Sequence, residues 1–111
     1  MVSFYDAPGV FHALGDVNRL KIVSQLCTGE PMRVSDIAAG FDMTRPAVSK
    51  HLRILETAGV LRVEWRGREK YCHVRPEGLA LARDWIARHE QLWAGALGEL
   101  KAHFQEQNDR E

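Results

Sequence analysis

Thr44-Arg45-Pro46-Ala47-Val48-Ser49-Lys50-His51-Leu52-Arg53-Ile54-Leu55-Glu56-Thr57-Ala58-Gly59 runs directly into Val60-Leu61-Arg62-Val63-Glu64-Trp65-Arg66-Gly67-Arg68, and this stretch decides the fold. Thr44 is a side-chain N-cap, and Pro46 falls in the first helical turn, where a missing N–H costs nothing. Val48, Leu52, Leu55 and Ala58 recur at steps of three and four, the spacing of one helix face. Gly59 ends that helix, and beyond it the period drops to two. Leu61, Val63 and Trp65 alternate with Arg62, Glu64 and Arg66, as in a half-buried strand. Gly67-Arg68 makes a turn, and Glu69 to Arg75 returns as a second strand. The stretch therefore predicts a capped helix followed by a basic hairpin.

Upstream, Ser35 is read as the cap of a short helix from Asp36 to about Gly40 that buries Ile37 and Ala38. The turn Phe41-Asp42-Met43 joins it to Thr44. Asp16 caps an earlier helix with apolar positions Leu20, Ile22, Val23 and Leu26, closed by Thr28-Gly29. Pro8 opens a first helix carrying Val10, Phe11 and Leu14, over about residues 8–15. Downstream, Pro76 and Gly78 break the second strand, and a last helix runs from near Leu79 to about Gln105. Leu79, Ile86, Trp93 and Leu100 are spaced by sevens on it, widened by Ala96, Leu97 and Phe104. At ~1.5 Å per residue that helix is roughly 40 Å long, more than one small core covers. An apolar stripe of that reach packs on another chain. Short helix, tight turn, capped helix and hairpin, in that order, make a winged helix-turn-helix. The predicted class is mainly α with a small β-hairpin wing (α+β), ending in a long dimerisation helix.

The chain has 111 residues, enough for a single domain spanning 1–111. Its 45% apolar and 27% charged content is too apolar for a disordered chain. No uncharged apolar run approaches the ~18 residues of a membrane span, and Met1-Val2-Ser3-Phe4-Tyr5-Asp6 carries no basic signal start. Cys27 and Cys72, without CxxC spacing, fit a reducing, cytoplasmic setting. The net charge is zero, but it is unevenly spread. Residues 44–75 hold eight basic side chains against three acidic, while the rest of the chain is acidic. Such clustering marks either a face for a polyanion or a solvated basic surface.

The helix register separates these readings. With Val48, Leu52 and Leu55 facing the core, Thr44, Arg45, Ser49, Lys50 and Arg53 fall outside. The second helix of a helix-turn-helix lies in the DNA major groove, with its N-terminal residues at base edges. Arginine forks onto guanine, Ser and Thr bond bases or phosphates, and lysine supplies point charge. At the hairpin tip Arg66 and Arg68, with Lys70 beyond, would reach a neighbouring phosphate strand or minor groove. The expected partner is a double-stranded DNA operator, and the expected reading unit spans about residues 33–75.

Taken together, Ala13-Leu14-Gly15-Asp16 with Arg19, Val34-Ser35-Asp36-Ile37-Ala38, Arg45-Pro46-Ala47-Val48-Ser49-Lys50-His51-Leu52 and Leu55-Glu56-Thr57-Ala58-Gly59-Val60-Leu61 resemble the ArsR/SmtB family of bacterial transcriptional repressors. The resemblance covers roughly residues 8–75, and the last helix matches in kind only. It implies a homodimer, built on the first and last helices (about 8–15 and 79–105), that represses by occupying a near-palindromic operator.

Many members of that family sense metals, and the ligand motifs are altered here. Where the family has Cys-Val-Cys-Asp-Leu, this chain has Arg33-Val34-Ser35-Asp36-Ile37, without either soft sulfur ligand. On the last helix His103 and Glu106 match half of a second motif, but Glu90 and Leu92 occupy the other half, which lacks its histidine. No metal site and no cofactor are expected, and the inducer stays unknown. A metal sensor using His103 and Glu106, or a thiol switch using Cys27 and Cys72, is the alternative of the same fold. A winged-helix protein-interaction module is the alternative of another class.

Cys27 and Cys72 read as inert, partly buried thiols. His51 either touches a phosphate or fills a structural place between helices, and His12 and His73 receive no role. Trp85 and Trp93 read as dimer core, while Trp65 and Tyr71 are expected to pack the wing onto the body. There is no Gly-rich phosphate loop, nucleophile elbow or carboxylate pair with a cleft, so no enzyme is expected.

Overall fold

A computed structural model describes residues 7–109; the hexapeptide Met1–Asp6, with its signal-start reading, and the last two residues lie outside them. Pro8 sits in the first turn of α1 (Ala7–Leu14). The Asp16 carboxylate caps α2 (Val17–Leu26) by accepting from the Asn18 and Arg19 N–H groups at 2.9 and 3.0 Å. Those bonds, that from Arg19 foremost, hold its carboxyl below the ordinary range. Next come β1 (Met32–Arg33), α3 (Val34–Ala39), α4 (Arg45–Thr57), β2 (Leu61–Arg66), β3 (Glu69–Val74) and α5 (Pro76–Asp109).

The sheet order is β1-β3-β2, antiparallel throughout. The hairpin register pairs Leu61 with Val74 and Arg66 with Glu69. β1 was not foreseen: Met32 and Arg33 pair with Cys72 and Tyr71. Two residues show no periodicity, and only the tertiary ladder defines such a strand. This strand also displaces the expected cap. Arg33, extended at φ −67° and ψ 143°, is the N-cap of α3 and makes no side-chain cap bond. Ser35 is an exposed residue of the first turn instead.

A single core joins these elements. Val10, Ile22, Leu26, Ile37, Val48, Leu55, Val60, Leu61 and Cys72 are fully or nearly fully buried. Leu20, placed on the buried stripe of α2 by its spacing, is 50% exposed. Gly59 and Gly67 take positive φ (82° and 63°) at the end of α4 and in the hairpin turn, where a side chain would be strained.

α5 departs furthest from expectation. β3 ends at Val74, ahead of Pro76 and Gly78 as expected, but α5 starts at Pro76, three residues before Leu79, and Gly78 lies inside its first turn. A Cβ on Gly78 would overlap the carbonyl of Gly59, so glycine permits the close crossing that seats α5 on the core. The helix has 34 residues, about 51 Å at 1.5 Å per residue. The described residues extend 69 Å along their longest axis, with a radius of gyration of 19.1 Å. About 13 Å is normal for a compact domain of this size, so the distal half of α5 stands clear of the body.

Candidate nucleic-acid interface

Thr44 caps α4 through its Oγ1, which accepts from the Ala47 N–H at 3.3 Å. Val48, Leu52 and Leu55 fix the rotation of α4 by burial, leaving Arg45, Lys50 and Arg53 exposed and Ser49 half-buried. Arg45 and Ser49 meet Ser35 of α3 and Arg68, Glu69 and Lys70 of the hairpin around a groove of about 230 Å³. A smaller adjoining groove of about 110 Å³ brings Arg53 and Ser49 to Lys70. Four of the seven expected contact residues thus line the cleft between α4 and the wing. Thr44, Lys50 and Arg66 line neither groove.

Arg66 is bound within the wing. Its Nε donates to Glu64 at 2.7 Å, and its guanidinium lies 4.5 Å from the Tyr71 ring centroid. Glu64 also accepts from Arg62 at 3.0 Å and contacts His73 Nε2 at 2.8 Å. Bonds from Arg62, then His73 and Arg66, hold the Glu64 carboxyl down at about 2. Arg33 likewise donates to Asp36 and Glu69, at 2.9 and 3.1 Å, which raises its pKa further.

Sequence reasoning missed two residues of this region, Ser35 and Arg19. Ser35 reaches the groove because β1 shifts the start of α3. Arg19 donates to the Ala13 carbonyl at 2.6 Å, closing the end of α1, and lies 3.3 Å from His51 Nδ1. His51 therefore sits between α4 and α2, also 3.9 Å from Asp16, the place its structural reading gives it. Trp65 corrects an expectation: at 63% exposure it does not pack the wing onto the body. Tyr71, expected to do the same, lies under Arg66 and donates its hydroxyl to Glu69 at 3.3 Å. No alternation pattern shows where a core ends along a strand, and that is the missing signal.

The two thiols differ in burial, and only Cys27 departs from the expected partial burial toward exposure. Cys27 is exposed, whereas Cys72 is fully buried. Burial first, then the Glu56 charge, pushes the Cys72 thiol up to about 11, away from the reactive thiolate. Among the described residues, no three His, Cys, Asp or Glu side chains come together to hold a metal ion. His103 Nε2 instead lies 3.2 Å from Gln107 on the same helix.

A helix-turn-helix with its second helix exposed beside a basic three-stranded wing is the architecture of a winged helix-turn-helix DNA-binding regulator. The model of the bacterial regulatory protein arsR family matches residues 16–63. HTH-type transcriptional regulator Rv2034 of Mycobacterium tuberculosis is 35% identical over 97 residues, 86% of this chain and 87% of the relative. Transcriptional repressor SdpR of Bacillus subtilis is 34% identical over 77 residues, 69% and 84% of the two chains. Among solved structures, the ArsR family transcriptional regulator RHA00566 superposes with a TM-score of 0.71 at 35% identity, covering 78% of this chain and 88% of the other. A possible transcriptional regulator for arsenical resistance does so at 0.69 and 32%, covering 85% and 94%. The chain belongs to the arsR family of bacterial regulatory proteins. It is a DNA-binding transcriptional regulator and not an enzyme. Among the described residues, no helix is long and apolar enough to cross a membrane.

Proposed function

We propose that this regulator is a cytoplasmic homodimeric repressor that occupies a near-palindromic operator and works without the family's common metal sites. Residues 33–75 form its reading unit, in which Thr44, Arg45, Ser49, Lys50 and Arg53 read or grip the major groove while Arg66 and Arg68 hold the backbone. The observation that carries this reading is the groove shared by Arg45, Ser49, Arg68 and Lys70, which joins the N-terminal end of α4 to a cationic wing. Arg66 reaches a phosphate by exchanging Glu64 for it, since both are charge-assisted partners of the same guanidinium.

The dimer reading rests on α5. Ile86, Trp93, Leu97, Leu100 and Phe104 are between 41% and 64% exposed along one side of it. Trp85 contributes less than its apolar size suggests, because its ring already meets Phe11 at 5.4 Å and His89 at 4.0 Å within the same chain. The first and last helices, over about residues 8–15 and 79–105, together form the seam for a second copy.

Fluorescence anisotropy against duplexes tiled across the chain's own upstream region, with unrelated duplexes of equal length as control, tests the function. A preference of about 10³-fold or more for one tile at near-physiological salt supports it. Equal, weak binding to all of them, repeated with duplexes from elsewhere in the genome, refutes it.

A further inference from the structure

Trp65 breaks the pattern of the strand that carries it. Leu61, Val63 and Trp65 share one face of β2, since side chains alternate along a strand. Along that face Leu61 is buried, Val63 is half-buried and Trp65 is 63% exposed. The apolar face of the strand therefore continues beyond the core it serves. It ends at the groove lined also by Ser35, Arg45, Ser49, Arg68 and Lys70. The indole is not loose there: Lys70, its cross-strand partner, holds its ammonium 5.0 Å from the ring centroid.

An exposed indole that a cross-strand cation already orients loses little freedom when something covers it, and covering it is favourable. The partner must be apolar where it meets the ring and anionic around it, because Arg45, Arg68 and Lys70 outnumber the single nearby carboxylate, Glu69. A DNA strand has this chemistry, with apolar deoxyribose faces alternating with phosphates.

We propose that Trp65 is a DNA-contacting residue of the wing, packing its indole on the deoxyribose wall while Lys70 and Arg68 take the adjacent phosphates. This inference rests on the operator-binding reading. It differs from ordinary phosphate gripping in one measurable respect. An apolar contact releases no counterion, so it adds affinity without adding to the salt dependence.

The test titrates the full chain with its best-binding duplex at several salt concentrations and records both anisotropy and tryptophan emission. Trp65→Ala is expected to bind about tenfold or more weakly at every salt, on a line parallel to wild type. Trp65→Phe is expected to restore most of that loss and to abolish the DNA-induced change in emission, although Trp85 and Trp93 remain. Lys70→Ala is expected to reduce the slope of log affinity against log salt by about one. The emission readout of Trp65→Phe decides the matter if Trp65→Ala fails to fold. Wild-type affinity in Trp65→Ala, or an emission change that survives in Trp65→Phe, overturns the proposal and leaves the operator reading intact. That outcome turns attention to an acidic protein surface as the partner of Trp65. Failure of the wild-type chain to bind any duplex overturns both.

Discussion

The reading unit and the distal half of α5 solve opposite problems. Around α4 and the wing, Val48, Leu52 and Leu55 are only 0–5% exposed, and the surface holds paired or open cations around the exposed Trp65. Along α5 beyond Ile86 the surface keeps Leu92, Trp93, Leu97, Leu100 and Phe104 at 49–70% exposure. A cationic surface gains by meeting phosphate and is weakened by salt, whereas an apolar one gains by shedding water and is not. The two regions therefore have partners of different chemistry. They are coupled nonetheless, because a two-fold operator is read only when two copies present their α4 helices together.

Breaking the apolar region should have the largest effect. Leu97→Asp with Leu100→Asp places two charges in the proposed seam, and sedimentation should find monomers. Operator affinity should fall by more than about a hundredfold, with the reading unit still folded by circular dichroism. A dimer that survives this double change would locate the seam elsewhere.

Next comes the core that sets the rotation of α4. Leu55→Ala at a position with no exposed surface should cost about 2–5 kcal/mol of stability, measured as a shift in the urea midpoint. Smaller and more specific is the division of labour within the groove. Arg45→Ala should cost about 1–3 kcal/mol on the operator and little on unrelated DNA. Arg68→Ala should instead weaken all duplexes alike and lower the salt slope by about one. Interchanged results would reverse the roles assigned to helix and wing.

The smallest expected effect is acid loosening of the wing. The Glu64 carboxyl titrates at about 2 when folded, below the ordinary value of 4.5. Its contribution is therefore complete above about pH 4.5 and disappears as pH falls toward 2. Glu64→Gln should flatten that part of the stability profile, measured as urea midpoints between pH 2 and pH 6.

Much of this was legible in the sequence, for identifiable reasons. Thr44 and Asp16 cap their helices as their side chains dictate, and the alternation from Leu61 to Arg66 marks β2 residue for residue. Elements defined by distant partners were not legible. β1 exists because Met32 and Arg33 find β3, and its presence moves the start of α3 ahead of Ser35. Pro76 and Gly78 do end β3, but the close crossing of Gly78 with Gly59 inside α5 is a tertiary contact that no spacing shows. At the candidate site, helix periodicity identified the outward residues of α4. It could not show that Arg66 is held by Glu64, that Lys70 joins both grooves, or that Trp65 stands past the end of the core.

The most direct test of the central claim, two copies reading DNA through α4 and gripping it through the wing, is selection of binding sites from a pool of random duplexes by the full chain. The account predicts enrichment of two inverted half-sites at a fixed spacing near a whole number of helical turns, of about 10–10.5 base pairs each. A pool that stays random after repeated rounds, or a lone half-site with no inverted mate, would contradict it.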